Sequence, residues 1–118
     1  MKLLVAGGAG FIGSNFIHYI LQNYPDDEII NFDKLTYAGN LDNLTDVAGD
    51  HRYCFVKGDI CDQRAVENAV SRLGCDGVIV NFAAETHVDR SIVSAGSFVQ
   101  TDAFGTYVML EAVKKFGV

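Results

Sequence analysis

The segment from Lys2 to Gly13 constrains the fold of this chain more than any other. Its apolar run, Leu3-Leu4-Val5, is typical of a short strand that is buried on both faces of a sheet. Glycines follow at every third position, Gly7, Gly10 and Gly13. Apolar residues then recur at the spacing of one helix face, namely Phe11, Ile12, Phe16, Ile17, Ile20 and Leu21. The sequence therefore predicts a strand, a glycine turn and a helix.

This order of elements indicates a binding site for the pyrophosphate of a dinucleotide. Glycine adopts positive φ angles in a tight turn and allows a phosphate to approach the backbone. The following helix offers unpaired N–H groups and the positive end of its dipole, and Gly13 allows that helix to pack closely on the strand. The spacing is Gly-x-x-Gly-x-x-Gly rather than the more familiar Gly-x-Gly-x-x-Gly. The alternative is a tight turn that binds nothing.

A carboxylate follows at the expected distance, because Asp33 lies 20 residues after the last glycine. The segment 28–32 is predicted to be the second strand, and Asp33 would lie at its carboxyl end, where open α/β sheets bind ligands. A carboxylate there can accept both ribose hydroxyls and would repel a 2′-phosphate, which favours NAD over NADP. Lys34 weakens that preference, since a nearby cation could hold a phosphate. The alternative for Asp33 is a solvated or helix-capping carboxylate.

The remaining elements follow from the same periodicities. The first helix is predicted at 11–23, ended by Pro25, and a short helix near 41–47. The third strand is predicted at about 52–57, a helix after an N-cap at Asp62, the fourth strand at 77–82, and a last helix at 94–116. This is an α/β pattern. We expect one domain, 1–118, that forms a Rossmann-type doubly wound parallel sheet in the order 3-2-1-4, truncated before any later strands.

Two further signals concern function. Asp59 and Ile60 follow the third strand, where the carboxylate could accept from an adenine amino group and the isoleucine could pack on the ring; a helix-capping role for Asp59 is an equal alternative. The run Tyr53–Lys57 has the Tyr-x-x-x-Lys spacing of a catalytic acid/base pair. That pair requires a helix, in which residues four apart are neighbours, whereas here a strand is predicted. We therefore predict no catalytic residue in this chain.

Composition excludes several classes of partner and site. The 118 residues carry a net charge of −6, which argues against nucleic acid or an anionic membrane as the main partner. No signal peptide and no membrane-spanning apolar run are evident, so the cytoplasm is the expected location. The cysteines, Cys54, Cys61 and Cys75, have no metal-binding spacing, and the histidines are scattered. We predict no metal site.

Four segments carry a resemblance to a known family, namely 7–13 (GGAGFIG), 33–40 (DKLTYAGN), 58–62 (GDICD) and 83–91 (AAETHVDRS). Together they resemble the amino-terminal part of the dTDP-glucose 4,6-dehydratase family, within the extended short-chain dehydrogenases/reductases. The first and third suit many extended members, and the other two are more specific to this dehydratase and its nearest relatives. The resemblance covers the whole chain but about the first third of such an enzyme.

The resemblance implies NAD as the cofactor, a nucleotide sugar as the substrate, and roles for individual residues. Phe11 and Ile12 would offer backbone N–H groups to the pyrophosphate. The adenosine ribose would be held by Asp33, Lys34, Leu35 and Thr36. Adenine would lie between Asp59 and Ile60. The nicotinamide half would lie over Phe82, Ala83, Ala84, Glu85 and Thr86, with Thr101 also at the cofactor and Thr86 also facing the sugar nucleotide.

The chain departs from the family in ways that bear on activity. The family's Thr-Asp-Glu and helical Tyr-x-x-x-Lys segments have no counterpart here, so the chain is expected to be inactive alone. Asp102 stands where the family has Asn, and Thr86 where it usually has Ser. Three interpretations remain: an NAD-binding part of a dehydratase, a nucleotide-binding module completed by a partner chain, or a fold without a ligand. We also expect either self-association through the fourth strand and last helix or a missing carboxyl-terminal half.

Overall fold

The core of the fold is one parallel sheet. The structure is a computed structural model that describes residues 1–36, 39–85 and 95–118. Its strands are β1 (Lys2–Ala6), β2 (Glu28–Asp33), β3 (Tyr53–Lys57) and β4 (Val78–Asn81). All pairings are parallel, and the strand order is β3-β2-β1-β4. The predicted fold class and strand order are therefore confirmed.

The helices follow the strands as expected, with one difference. They are α1 (Phe11–Asn23), a 3-10 helix (Leu41–Leu44), α2 (Gln63–Val70), α3 (Ala95–Phe98), a π-helix (Val99–Gly105) and α4 (Thr106–Phe116). The predicted last helix over 94–116 is confirmed for 95–116, although its middle part, Val99–Gly105, is a π-helix rather than an α-helix; Ser94 lies outside the described residues. Among the helices of the described ranges, none is both long and apolar enough to cross a membrane.

Both faces of the sheet are covered by helices, which makes the fold doubly wound. Alternate residues of β1 belong to two separate cores, since successive strand side chains point to opposite faces. Leu3 and Val5 pack with the buried side of α1 and with the 3-10 helix. Leu4 and Ala6 pack with α2 and α4 on the other face. Leu3, Leu4, Val5 and Ala6 are at most 3% exposed, as predicted for a strand buried on both faces.

The first turn of α1 differs from the predicted apolar stripe. Ile17, Ile20 and Leu21 are buried as expected, but Phe11 is 82% and Ile12 66% exposed. Gly13 is buried there instead, and a Cβ at this glycine would collide with the carbonyl oxygen of Gly7. The glycine thus sets the close packing of the helix on the turn, and the two large side chains are left outside the core.

Candidate nucleotide-binding site

A pocket opens at the carboxyl ends of the four strands, where the connecting loops meet. Its lining includes these residues predicted for the site: Gly7, Gly10, Asp33, Lys34, Thr36, Asp59, Ile60, Phe82, Ala83, Ala84, Glu85 and Thr101. The predicted residues Phe11, Ile12, Gly13 and Leu35 do not line the pocket, although Phe11 and Leu35 are next to lining residues in the sequence. Thr86 lies outside the described residues. Three lining residues were not predicted for the site, namely Phe32, Gly39 and Gly58.

The glycine turn forms one wall of this pocket through a backbone that only glycine fits. Gly7 has φ of +75°, and a Cβ there would lie 2.6 Å from the backbone nitrogen of Ala83. Its N–H donates to the carbonyl of Phe32 at 2.9 Å. These contacts hold the turn between the ends of β2 and β4. A turn without side chains, held in this way, allows a ligand to approach its backbone closely.

The amino-terminal end of α1 offers N–H groups to an anion. Its N-cap residue is Gly10, which has no side chain to accept from the first turn, and that turn holds no acidic residue. The N–H groups of the first helical turn have no partner within the helix, and the helix dipole favours negative charge beside them. The start of α1 could therefore hold a phosphate group, and the roles of Phe11 and Ile12 there stay predictions.

Asp33 is fixed at the end of β2 by hydrogen bonds to both of its oxygens. Oδ2 accepts from the N–H of Ala9 in the glycine turn at 2.9 Å, and Oδ1 accepts from the N–H of Leu35 at 2.7 Å. The residue is 9% exposed and belongs to the strand, so the alternatives of a solvated or helix-capping carboxylate are wrong. Each carboxylate oxygen has a second lone pair, which leaves acceptor capacity for ribose hydroxyls.

The carboxylate also shapes the loop that follows it. Leu35 has φ of +58°, the one positive value at a non-glycine residue within the described ranges. The hydrogen bond from its N–H to the Asp33 side chain closes an Asx turn, in which an aspartate accepts from the backbone N–H two residues later. This turn directs the chain along the pocket through Lys34 and Thr36.

Lys34 and Asp59 form an ion pair across the rim of the pocket. Nζ of Lys34 lies 2.9 Å from Oδ2 of Asp59, and Oδ1 of Asp59 accepts from the N–H of Cys61 at 2.9 Å. The hydrogen bond to Asp59 raises the pKa of Lys34 above its ordinary value. Burial raises the pKa of Asp59, but the Cys61 N–H and the Lys34 ammonium outweigh burial, and the pKa lies below its usual range.

Asp59 is not a helix cap, contrary to the alternative considered from the sequence. The N-cap of α2 is Asp62, as predicted, and its side chain accepts from the N–H of Ala65 at 3.2 Å. Ile60 is 4% exposed. It lines the pocket next to Asp59, the position at which packing on an adenine ring was expected.

The π-helix contributes one residue to the pocket lining. Thr101 lines the pocket, and Oδ1 of Asp102 accepts from the N–H of Glu85 at 2.9 Å. Gly105 is buried against Ile60, since a Cβ there would lie 2.5 Å from the Cδ1 and Cγ1 atoms of Ile60. These contacts join the helix to the loops after β3 and β4. Asp102 thus provides an acceptor at the position where the resemblance implies Asn.

The unpredicted lining residues follow from contacts that only the folded chain shows. A Cβ at Gly58 would collide with the ring of Phe32. Gly39 lies beside Asp33, where a Cβ would be 3.0 Å from Oδ1. The signal in the sequence was a glycine directly before Asp59 and another within the loop after Asp33, and neither glycine indicates by itself which side chain it faces.

The rejected catalytic pair is confirmed to lie in a strand. Tyr53 and Lys57 are the first and last residues of β3. The hydroxyl of Tyr53 accepts from Nδ2 of Asn31 at 2.9 Å. A strand separates residues four apart by about 13 Å, so these two side chains do not form an acid/base pair.

Comparison with known proteins identifies the family. Residues 4–118 match the family described as GDP-mannose 4,6 dehydratase. The chain is 48% identical over 116 residues to a dTDP-glucose 4,6-dehydratase of Escherichia coli, covering 98% of this chain and 32% of that protein. It is 52% identical over 119 residues to the dTDP-glucose 4,6-dehydratase of Streptomyces niveus, covering 98% and 34%. The chain thus spans about a third of the length of the curated relatives it matches.

Solved structures give the same result. The dTDP-glucose 4,6-dehydratase of Streptomyces venezuelae, crystallised with NAD, superposes with a TM-score of 0.92 at 48% identity, covering 100% of this chain and 37% of that one. The Bacillus anthracis dTDP-glucose 4,6-dehydratase in complex with NAD gives 0.84 at 49% identity, covering 98% and 34%. On the match over residues 4–118, the chain belongs to the GDP-mannose 4,6 dehydratase family.

Proposed function

We propose that this chain binds NAD as the cofactor-binding part of a dTDP-glucose 4,6-dehydratase-like protein. The names of its relatives and the NAD complexes of its structural neighbours support this proposal. The observation that carries it is the hydrogen bond between Ala9 and Asp33. That bond holds a carboxylate beside the glycine turn, so that one pocket offers an anion site at a helix end and an acceptor for ribose hydroxyls.

We assign each part of NAD to residues in or beside the pocket. We assign the pyrophosphate to the N–H groups at the start of α1, where Gly7, Gly10 and Gly13 keep side chains away. Asp33 would hold the adenosine ribose, with Leu35 and Thr36 alongside. The adenine would pack on Ile60, and the nicotinamide half would lie along Phe82, Ala83, Ala84 and Glu85. Thr101 and Thr86 complete the assignment, and Thr86 would also face the nucleotide sugar.

The proposed reaction is that of the relatives the chain resembles. When bound, NAD would supply the hydride acceptor for oxidation of the sugar at C4 and, as NADH, the hydride for C6 after the loss of water across C5 and C6. The residues of this chain bind and orient the cofactor. We assign no acid or base to it, because its one Tyr-x-x-x-Lys spacing lies in β3, and we expect no turnover by the chain alone.

Thermal unfolding with added nucleotides tests the proposal. A ligand that binds only the folded chain raises its stability by about 2.7 kcal/mol at a hundredfold excess over Kd. We expect NAD and ADP-ribose to raise the melting temperature, and NADP to raise it less. No shift with either NAD or ADP-ribose would refute the proposal.

A second arrangement, in which another chain supplies the catalytic half, is favoured by one observation. Within the described ranges β4 pairs with β1 alone, so it is an edge strand, and Val78 is 37% exposed. An edge strand can accept a further strand. Mixing this chain with the remaining two thirds of a relative and assaying dehydratase activity tests the arrangement. We expect activity from the mixture only, and an inactive mixture with intact NAD binding would refute it.

A further inference from the structure

Charged side chains of both signs line the pocket. Among the lining residues that the structure describes, the cationic side chain is Lys34, and the acidic ones are Asp33, Asp59 and Glu85. A 2′-phosphate on the adenosine ribose would lie close to Asp33, given the ribose assignment above. Lys34, adjacent to Asp33 in the sequence, is the described lining residue able to neutralise such a phosphate.

Asp59 already engages that cation. The Lys34 Nζ to Asp59 Oδ2 distance is 2.9 Å, which is the distance of a charge-assisted hydrogen bond. Asp59 itself is held by the Cys61 N–H on its other oxygen and is 34% exposed at the side chain. The carboxylate therefore stays in position after β3, and Lys34 is drawn toward the adenine end of the pocket rather than toward the ribose.

We propose that Asp59 is a specificity-determining residue that acts by positioning Lys34, withholding its ammonium from a 2′-phosphate and so excluding NADP. This inference rests on the proposed function. Asp33, Lys34 and Asp59 together carry a net charge of −1. A phosphorylated ribose would be repelled by this trio, and it would gain the lysine only by breaking the pair with Asp59. The preference for NAD thus depends on two carboxylates: Asp33, which would bind the ribose, and Asp59, which forms an ion pair with Lys34.

The supporting electrostatics agree with this geometry. The Asp59 carboxylate and, more weakly, Glu85 raise the pKa of Lys34, so its ammonium remains charged at neutral pH. Removing the charge of Asp59 would leave Asp33 and Lys34 at a net charge of zero. An exposed ion pair is worth about 0.2–1 kcal/mol, which corresponds to at most about a fivefold change in affinity.

The test is a set of variants scored by the ratio of NADP to NAD affinity, measured by calorimetry at low salt. Asp59→Asn removes the charge and keeps an oxygen for the Cys61 N–H. The matched control is Asp62→Asn. It removes the same charge three residues further along the chain, at a residue that does not line the pocket. Asparagine is as good an N-cap as aspartate. The double variant Asp59→Asn with Lys34→Ala shows whether the gain passes through the lysine.

We expect Asp59→Asn to raise relative NADP affinity about threefold to fivefold, Asp62→Asn to leave the ratio unchanged, and the double variant to lose the gain. The gain should shrink at high salt, which screens exposed charges.

If NAD binds but Asp59→Asn leaves the ratio unchanged, or the control shifts it equally, the inference is overturned. If the unaltered chain binds neither NAD nor ADP-ribose, the proposed function fails instead. Should Asp59→Asn not fold, Asp59→Ser, whose hydroxyl can also accept from Cys61, must show the same gain.

Discussion

The N–H of Ala9 donates a hydrogen bond of 2.9 Å to Oδ2 of Asp33, and this bond joins the glycine turn after β1 to the end of β2. The other carboxylate oxygen accepts from Leu35 at 2.7 Å. One side chain thus fixes two loops of the pocket before any ligand arrives. Structure and proposed ribose binding depend on the same residue, so their contributions must be measured separately.

Replacing Asp33 with alanine should weaken both stability and NAD binding. The N–H groups of Ala9 and Leu35 lose their acceptor at a residue that is 9% exposed, which lowers the free energy of unfolding by about 1–3 kcal/mol. Chemical unfolding without ligand measures this loss, and the NAD-induced shift in melting temperature measures the second effect. Asp33→Asn, which keeps one acceptor oxygen, should be less destabilised. Equal NAD shifts in Asp33→Ala and the unaltered chain would contradict the ribose assignment.

Alanine substitutions at three glycines should separate backbone strain from close contact. Gly7 and Gly74 have φ of +75° and +77°, but a Cβ at Gly74 meets nothing within 4 Å, whereas one at Gly7 meets Ala83 at 2.6 Å. Gly74→Ala should cost about 1–2 kcal/mol, for the left-handed backbone alone. Gly7→Ala should cost about 1–3 kcal/mol more, for overpacking. Denaturant unfolding measures both, and equal losses would show that the contact with Ala83 is unimportant.

Gly49 provides the control for that series. Its φ lies outside the left-handed region and nothing lies within 4 Å of a Cβ placed there. Gly49→Ala should therefore be neutral or stabilising by about 0.4–1 kcal/mol, because alanine reduces the entropy of the unfolded chain. A large loss at Gly49 would mean that glycine substitutions destabilise this chain for reasons unrelated to backbone angle or contact.

Acid should destabilise the chain, because several carboxyl groups have lowered pKa values in the fold. A hydrogen bond from Arg52 lowers the pKa of Asp50, one from His18 lowers that of Asp46, and one from Lys115 lowers that of Glu67. A lowered folded pKa gives stability that is present above the ordinary value of about 4 and is lost as pH falls below it.

Melting temperatures measured from pH 7 to pH 2 test this expectation. We expect little change between pH 7 and pH 5 and a progressive fall below about pH 4. In Asp50→Asn the fall between pH 5 and pH 3 should be smaller than in the unaltered chain, since the group that Arg52 holds at 2.7 Å no longer titrates. An identical fall in both would rule out Asp50 as a contributor.

The sequence predicted the frame of the site better than its rim. Strand order and the bounds of α1 follow from local signals: apolar runs, three glycines and the Pro25 stop. Asp33 followed from its distance to the glycines. The exposure of Phe11 and Ile12 was not predicted, because both are apolar and match the helix period, whereas the buried residue of that turn is Gly13.

Other features depend on contacts between distant segments, which no local pattern encodes. The pair of Lys34 and Asp59 joins residues from two loops. The π-helix at 99–105 lies within a stretch whose periodicity predicts one continuous helix. Two of its residues make contacts with distant segments: Gly105 packs on Ile60, and Asp102 accepts a hydrogen bond from the Glu85 N–H. A glycine within a helix was visible in the sequence, but the isoleucine that it faces was not.

The contact between Gly105 and Ile60 gives the last prediction. Gly105→Ala gains about 1 kcal/mol of helix propensity but puts a Cβ 2.5 Å from two side-chain atoms of a residue that is 4% exposed. Overpacking of this kind costs about 1–3 kcal/mol, so the variant should be destabilised on balance. Ile60→Val alone should cost about 0.5–1.5 kcal/mol by removing buried Cδ1.

The double variant distinguishes this contact from a general effect. Removing Cδ1 takes away one of the two closest atoms that the new methyl group meets, so the combined loss should be smaller than the sum of the single losses by at least about 0.5 kcal/mol. Denaturant unfolding of the unaltered chain, the two single variants and the double variant measures the coupling. A control pair combines Gly105→Ala with Val108→Ala, since Val108 is a buried residue of α4 in the same core. Additive losses in the Gly105 and Ile60 pair would contradict the contact between the π-helix and Ile60.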